Sequence, residues 1–262
     1  MSRELDSGAM FTVEQRDAVR ERVLSLAKAD PRVVAGAVVG SLANGGGDRF
    51  TDLDLTFAVT DGVPLADVLT DWTRVLGAEL DAVHVIDLDV GTKTYRVLVL
   101  PDALQLDLSM CPASEFRTGG SRFVLVFGEG AGIAEPPPAA PVVAADVFGW
   151  GVIYALHASA CIARGRLWQA EHYAGAVRDA ALTLACLRHG LRAVQARGYD
   201  DLPPEVLNEL AETHVGALTA NGRRVALAAV VRALMREGVE AGVPNAEAVA
   251  QRVGAALDSG AP

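Results

Sequence analysis

The sequence predicts an α+β protein in which a mixed β-sheet domain, residues 1–140, is followed by an α-helical bundle domain, residues 141–262. Three observations lead there. Between residues 33 and 127, short apolar segments rich in β-branched residues are separated by turn residues and by one amphipathic helical stretch. The run Glu135-Pro136-Pro137-Pro138-Ala139-Ala140-Pro141 has the composition of a stiff connector. Beyond it, apolar residues recur at helical spacing over segments too long for ordinary strands.

Taken in order, Thr12-Val13-Glu14-Gln15 has the form of a capping box, and Val19, Val23, Leu26 and Ala27 continue at helical spacing. The helix should stop near Asp30-Pro31, because proline pushes the residue before it out of the helical region. Val33 to Val39 reads as a buried strand that gives way to a turn at Gly40-Ser41. From Asp52 the chain alternates, with Leu53, Leu55, Phe57 and Val59 on one face and Asp52, Asp54, Thr56 and Ala58 on the other.

Pro64 opens a second amphipathic helix through Leu65, Val68, Leu69, Trp72 and Leu76. Ala82 to Leu88, Lys93 to Leu100 and Leu104 to Met110 then read as consecutive, largely antiparallel strands. In the last of them Gln105, Asp107 and Ser109 share the face opposite the leucines, so Asp107 is presented as Asp52 and Asp54 are. Phe123 to Phe127 is one more strand, and the helices should cover one face of the sheet. After the connector five helices are expected: Ala144 to about Ala163, Arg166 to His189 with Gly190 as its stop, one from Pro203-Pro204, Asn221 to Glu240, and a last one capped by Asn245.

Composition narrows the function classes. The 51% of apolar residues in 262 is ample for a sizeable core. No apolar run is long and charge-free enough to read as a membrane span, and the N-terminus lacks an apolar leader segment. Cys111, Cys161 and Cys186 have no metal-site or disulfide spacing and read as core residues of a chain in a reducing compartment, the cytoplasm. Net charge is −10, with 21 acidic against 12 basic residues up to Pro141 and 12 against 11 after it. That distribution opposes a duplex nucleic-acid partner and suits a metal and a cationic small substrate. A dimer is as compatible with the alanine-, leucine- and valine-rich second half as a monomer is.

The chemistry concentrates in Gly40-Ser41 and Asp52-Leu53-Asp54. Two carboxylates on one side of a strand repel each other, and a divalent cation, a hard acid that prefers oxygen ligands, is the usual reason to keep them. Gly-Ser after a strand, a glycine-rich spacer and Asp-x-Asp on the next strand resembles the signature of the DNA polymerase β-type nucleotidyltransferase superfamily. The resemblance implies that Gly40 and Ser41 hold a nucleoside triphosphate and that Asp52 and Asp54 carry magnesium, two ions in all, with Asp107 as third ligand and acceptor of the attacking hydroxyl's proton. Arg49 and Arg96 are the further candidates for the triphosphate, with Arg117 and Arg122 behind them. The stretch Leu167-Trp168-Gln169-Ala170-Glu171-His172-Tyr173, with Arg178 two turns beyond Glu171, resembles more loosely the helical domains of aminoglycoside and lincosamide nucleotidyltransferases. That likeness makes Glu171 a candidate base or amine ligand and Trp168 a candidate platform for a sugar ring.

The implied activity is transfer of a nucleoside monophosphate, AMP from ATP, to a hydroxyl of a small acceptor of antibiotic type, with release of pyrophosphate. The alternatives are modification of a protein or RNA, as in antitoxin-like members of that superfamily, a catalytically inactive nucleotide-binding module of the same fold, and a helical interaction protein with an α/β appendage. There is no Gly-x-x-x-x-Gly-Lys loop, so a P-loop NTPase is excluded.

Overall fold

The computed structural model describes residues 11–45, 47–48, 50–133, 142–214 and 217–258. The chain divides into two compact units, Met1–Ala139 and Ala140–Pro262, against the expected division after residue 140. The proline-rich connector lies outside the described residues.

In the first unit, α1 (Val13–Ala29), β1 (Val33–Val39), β2 (Leu53–Val59), α2 (Leu65–Leu80), β3 (Val83–Val90), β4 (Lys93–Val99), β5 (Gln105–Pro112) and β6 (Phe123–Phe127) follow one another. The strands form one sheet in the order β3-β4-β5-β2-β1-β6. β2 and β5 pair in parallel and every other pair is antiparallel, so the sheet is mixed and the fold is α+β.

Local chemistry sets the boundaries. Thr12 accepts a hydrogen bond from the Gln15 amide, and the Gln15 side chain accepts one from the Thr12 amide, which makes the capping box that starts α1. α1 stops at Asp30, extended as expected before Pro31. Pro64 takes the N-cap position of α2, where its missing N–H costs nothing. The edge strand β3 is exposed along its whole length, and the irregularity between His84 and Ile86, together with Asp87 and Asp89, discourages pairing with a further strand.

The register of β2 on β5 separates the two faces of the sheet. Leu53, Leu55 and Phe57 sit opposite Leu106, Leu108 and Met110 and form the main core with Val23 and Ala27 of α1 and Val68, Leu69, Trp72 and Leu76 of α2. Asp54, Thr56 and Ala58 sit opposite Asp107, Ser109 and Cys111 on the other face. A smaller cluster there joins Ala35, Ala37, Ala58, Cys111 and Phe116.

Five α-helices are described in the second unit: α3 (Ala144–Ala163), α4 (Leu167–Arg188), α5 (Pro204–Ala211), α6 (Ala220–Glu240) and α7 (Ala246–Asp258). α4 packs against α3 and α6 around Val177, Ala181, Leu184, Val230 and Leu234. The Phe148 ring lies against Gly238, where a Cβ would stand 2.3 Å from the ring. Glu237 is fully buried and accepts hydrogen bonds from both Arg188 and Arg236, which supply the compensation a buried carboxylate requires. Contrary to the sequence reading, α3 is long and apolar enough by length and composition to cross a membrane. Its buried residues Phe148, Gly151, Ala155, Ala158, Cys161 and Ile162 face the interior of the unit, while Trp150, Ile153 and Leu156 are exposed. All three cysteines are free and buried.

One polar joint ties α1 to α2. Asp30 accepts two hydrogen bonds from the Arg32 guanidinium, at 2.9 and 2.8 Å, one from the Arg32 amide at 3.0 Å and one from the Trp72 indole at 2.9 Å, and Arg32 also reaches Asp71. The Arg32 guanidinium, helped by Trp72, holds the Asp30 carboxyl at about 2. Its folded pKa lies below the unfolded value, so the stabilisation is complete above that unfolded value and is lost as pH falls through the folded one. We predict that Asp30→Asn lowers unfolding free energy by about 2 kcal/mol above about pH 5, and that the gap closes toward pH 2 in urea titrations.

Candidate active site

Three carboxylates converge at the starts of β2 and β5. Asp54 lies directly opposite Asp107 across the parallel pair, and Asp52 precedes Asp54 by two residues, at the entry to β2. Each of Asp52, Asp54 and Asp107 offers an oxygen, and the three atoms lie within 4.8 Å of one another. All three residues are half-buried. A pair of ionised carboxylates at that distance repels by roughly 1 kcal/mol in bulk water and by roughly 3 kcal/mol at an effective dielectric constant of about 20. Burial, the main cause, and the nearby Asp52 charge push the Asp107 carboxyl above its ordinary range, while hydrogen bonds from Gln105 oppose the shift. The Gln105 amide donates to both Asp107 oxygens, at 3.0 and 3.1 Å.

An all-oxygen trio of this kind fits a hard divalent cation, whose charge would offset the repulsion. These are the residues that could hold a metal.

Gly40 and Ser41 begin a short 3-10 helix, Gly40–Gly45, directly after β1. Gly40 has φ +73°, and a Cβ there would stand 2.0 Å from Asp54 Oδ2. A glycine is therefore needed for two reasons, the left-handed backbone and the carboxylate lying against it. Ser41 is half-buried beside it in sequence.

The other candidates lie elsewhere. Arg96 faces the helices, because it sits opposite Leu108 in the β4–β5 register whereas Asp107 sits opposite Val97. Its guanidinium is buried and donates to Asp87 at 2.7 and 2.5 Å and to Thr73 of α2 at 3.0 Å, so it is not placed to meet a nucleotide at the carboxylates. Arg49 lies outside the described residues. Arg117 is exposed and donates to the Ser114 carbonyl, and Arg122 is exposed.

Glu171 forms an ion pair with the buried Arg223 of α6 rather than with Arg178, whose guanidinium donates to Thr213. The Glu171 carboxylate is thus engaged by an arginine of α6. Trp168 is 79% exposed, so its indole is accessible rather than buried. Sequence reading missed two supports of the trio. Gln105 was visible as a residue sharing the Asp107 face. Arg16, whose guanidinium is buried under the loop before Asp52, was hidden within an amphipathic pattern.

Residues 13–126 match the family model described as Streptomycin adenylyltransferase. The matched segment runs from the start of α1 into β6 and includes Gly40, Ser41, Asp52, Asp54 and Asp107. This half of the chain is therefore similar to the aminoglycoside nucleotidyltransferases. No curated protein matches the chain. Among solved structures, a crystal structure of an aminoglycoside 6-adenyltransferase from Bacillus subtilis is similar at 13% identity, over 94% of this chain and 98% of that chain, with a TM-score of 0.39. A likeness that loose carries no argument about fold or chemistry.

The raised Asp107 carboxyl has a stability signature. Its folded pKa lies above the unfolded value, so the ionised form works against folding, and the cost appears as pH rises through the folded pKa. Asp107→Asn removes that cost and keeps an oxygen for Gln105. We predict that, in chelator at pH 7, Asp107→Asn melts at a higher temperature than the wild type, and that the difference shrinks near pH 4.

Proposed function

We propose that the chain transfers AMP from ATP to a hydroxyl of a small, cationic acceptor of the aminoglycoside type, releasing pyrophosphate, in the cytoplasm. The observation that carries this reading is the convergence of Asp52, Asp54 and Asp107 on neighbouring strands, inside the segment that matches the streptomycin adenylyltransferase family. The excess of acidic residues in the same unit supports a cationic acceptor, since a field of that sign raises the local concentration of such a molecule.

Asp52, Asp54 and Asp107 would hold magnesium, with two ions as the superfamily resemblance implies. When bound, magnesium supplies the positive charge that offsets the three carboxylates and the triphosphate and that favours loss of the pyrophosphate leaving group. Gly40 leaves the turn after β1 free of a side chain, and Ser41 offers a hydroxyl to a phosphate oxygen. Asp107 accepts the proton of the acceptor hydroxyl as that oxygen attacks the α-phosphorus in line with the departing pyrophosphate. Glu171, committed to Arg223, is left out of this chemistry. Trp168, exposed at the start of α4, remains a candidate platform for an acceptor ring.

The test is a thermal shift with each nucleoside triphosphate, with and without magnesium, on the wild type and Asp52→Asn. We predict a magnesium-dependent rise with ATP that Asp52→Asn loses, and pyrophosphate release when an aminoglycoside is added to the wild type. A folded wild type whose melting temperature no nucleotide raises at millimolar concentration would sink the enzyme reading.

A further inference from the structure

Position 16 is an anomaly in α1. The buried side of that helix runs through Val19, Val23 and Ala27, and an arginine stands first in the stripe, only 5% exposed. Burying a guanidinium is costly unless its donors are used. The nearest carboxylate contact is long, 3.9 Å from Nε to Asp17, and Nε itself is buried without a hydrogen-bond partner. Among the described residues, Nη1 reaches two backbone carbonyls of one loop, Asp48 at 2.7 Å and Thr51 at 3.3 Å.

The Thr51 carbonyl lies in the same rigid peptide plane as the nitrogen and Cα of Asp52. Holding that oxygen therefore fixes the N–Cα bond of Asp52, the axis about which its side chain is placed. Hydrogen bonds within the loop tie Asp48 to Phe50 and Thr51. The Asp48 amide donates to Thr51 Oγ1 at 2.9 Å, the Thr51 hydroxyl donates to Asp48 Oδ1 at 3.2 Å, and the Phe50 amide donates to Asp48 Oδ1 at 2.9 Å.

The same end of α1 also holds the entry to the other acid-bearing strand. Gln15 Nε2 donates to Asp102 Oδ2 at 3.2 Å and the Phe11 amide to the Asp102 carbonyl at 3.1 Å, and Asp102 lies in the turn that leads into β5 and Asp107.

We infer that Arg16 is a positioning residue for the carboxylate trio: from the first turn of α1 it pins the peptide before Asp52, so that Asp52 meets Asp54 and Asp107 in a metal-binding arrangement. This rests on the metal reading above. It assigns the residue no contact with nucleotide or acceptor.

The test compares Arg16→Gln and Arg16→Lys with Arg22→Gln, a control on the same helix whose exposed guanidinium pairs with Glu79. Hydrogen exchange of the peptide spanning residues 47–54 reads the loop, and titration with Mn2+ alone, followed by electron paramagnetic resonance, reads the site. Arg16→Gln should speed exchange in that peptide and weaken Mn2+ binding about tenfold, the scale of losing a support behind a metal ligand. Arg16→Lys, which keeps one charged donor, should recover part of both, and Arg22→Gln should change neither. Unchanged exchange, or the wild-type Mn2+ affinity in a folded Arg16→Gln, would overturn the inference and leave Arg16 a structural residue only. If Arg16→Gln does not fold, the Arg16→Lys comparison decides in the same way. A wild type that takes up no Mn2+ defeats the metal reading, and the role in metal binding falls with it, while the exchange data still decide whether Arg16 holds the loop.

Discussion

The parallel pairing of β2 with β5 is the constraint on which the first unit depends. Its register sets Leu53 opposite Leu106 and Asp54 opposite Asp107, so the hydrogen bonds that seal the core also bring two carboxylates to the same level. A slip of β2 by one residue would turn Asp54 into the apolar core and Leu55 out of it, away from Asp107 and Leu108 on β5. Register here is held by the burial of a whole leucine-rich face against α1 and α2, which far outweighs the repulsion between carboxylates. The core thus compels the acidic groups to stay together.

The rest of the site consists of accommodations to that imposed proximity. Gly40 has no side chain because Asp54 occupies the space, and Gln105 donates two hydrogen bonds to the carboxylate with the raised pKa. Arg16 and Gln15 fasten the loops that lead into the two strands. Each contact works through the backbone or through a carboxylate that is already fixed, which is how a small group of charges is kept in one geometry without a rigid loop of its own.

What could be read from sequence follows the physics of each element. Strand alternation in β2 and β5 is clean, leucine against polar, so Asp52, Asp54 and Asp107 could be assigned to one face before any coordinates. In β4 the alternation is blurred, since Thr94, Arg96 and Leu98 share one face and Tyr95, Val97 and Val99 the other. Nothing local shows that Arg96 turns toward α2 and Asp87. The partner of Glu171 was hidden for a different reason: helical spacing allows a pair with Arg178, but packing against α6 brings Arg223 instead. Arg16 was missed because a helix stripe with one charged residue at its end reads as a boundary, and only the loop folded over it shows where the charge goes.

The two units also differ in how their charges are used. In the helical unit Glu171 pairs with Arg223, Arg188 with Glu237 and Glu240, and Arg236 with Glu209, Glu237 and Glu240. Acidic and basic residues there nearly balance, and the pairs cancel at short range. In the first unit 21 acidic residues face 12 basic ones up to Pro141, and three of the carboxylates are gathered at one end of β2 and β5. The long-range field that draws cations therefore originates mainly in the unit that carries the trio. Under the proposed function, magnesium and a cationic acceptor would feel that field in the same way, so electrostatics would bring both to the trio without telling acceptors apart. Discrimination among acceptors must then come from short-range contacts of shape and hydrogen bonding.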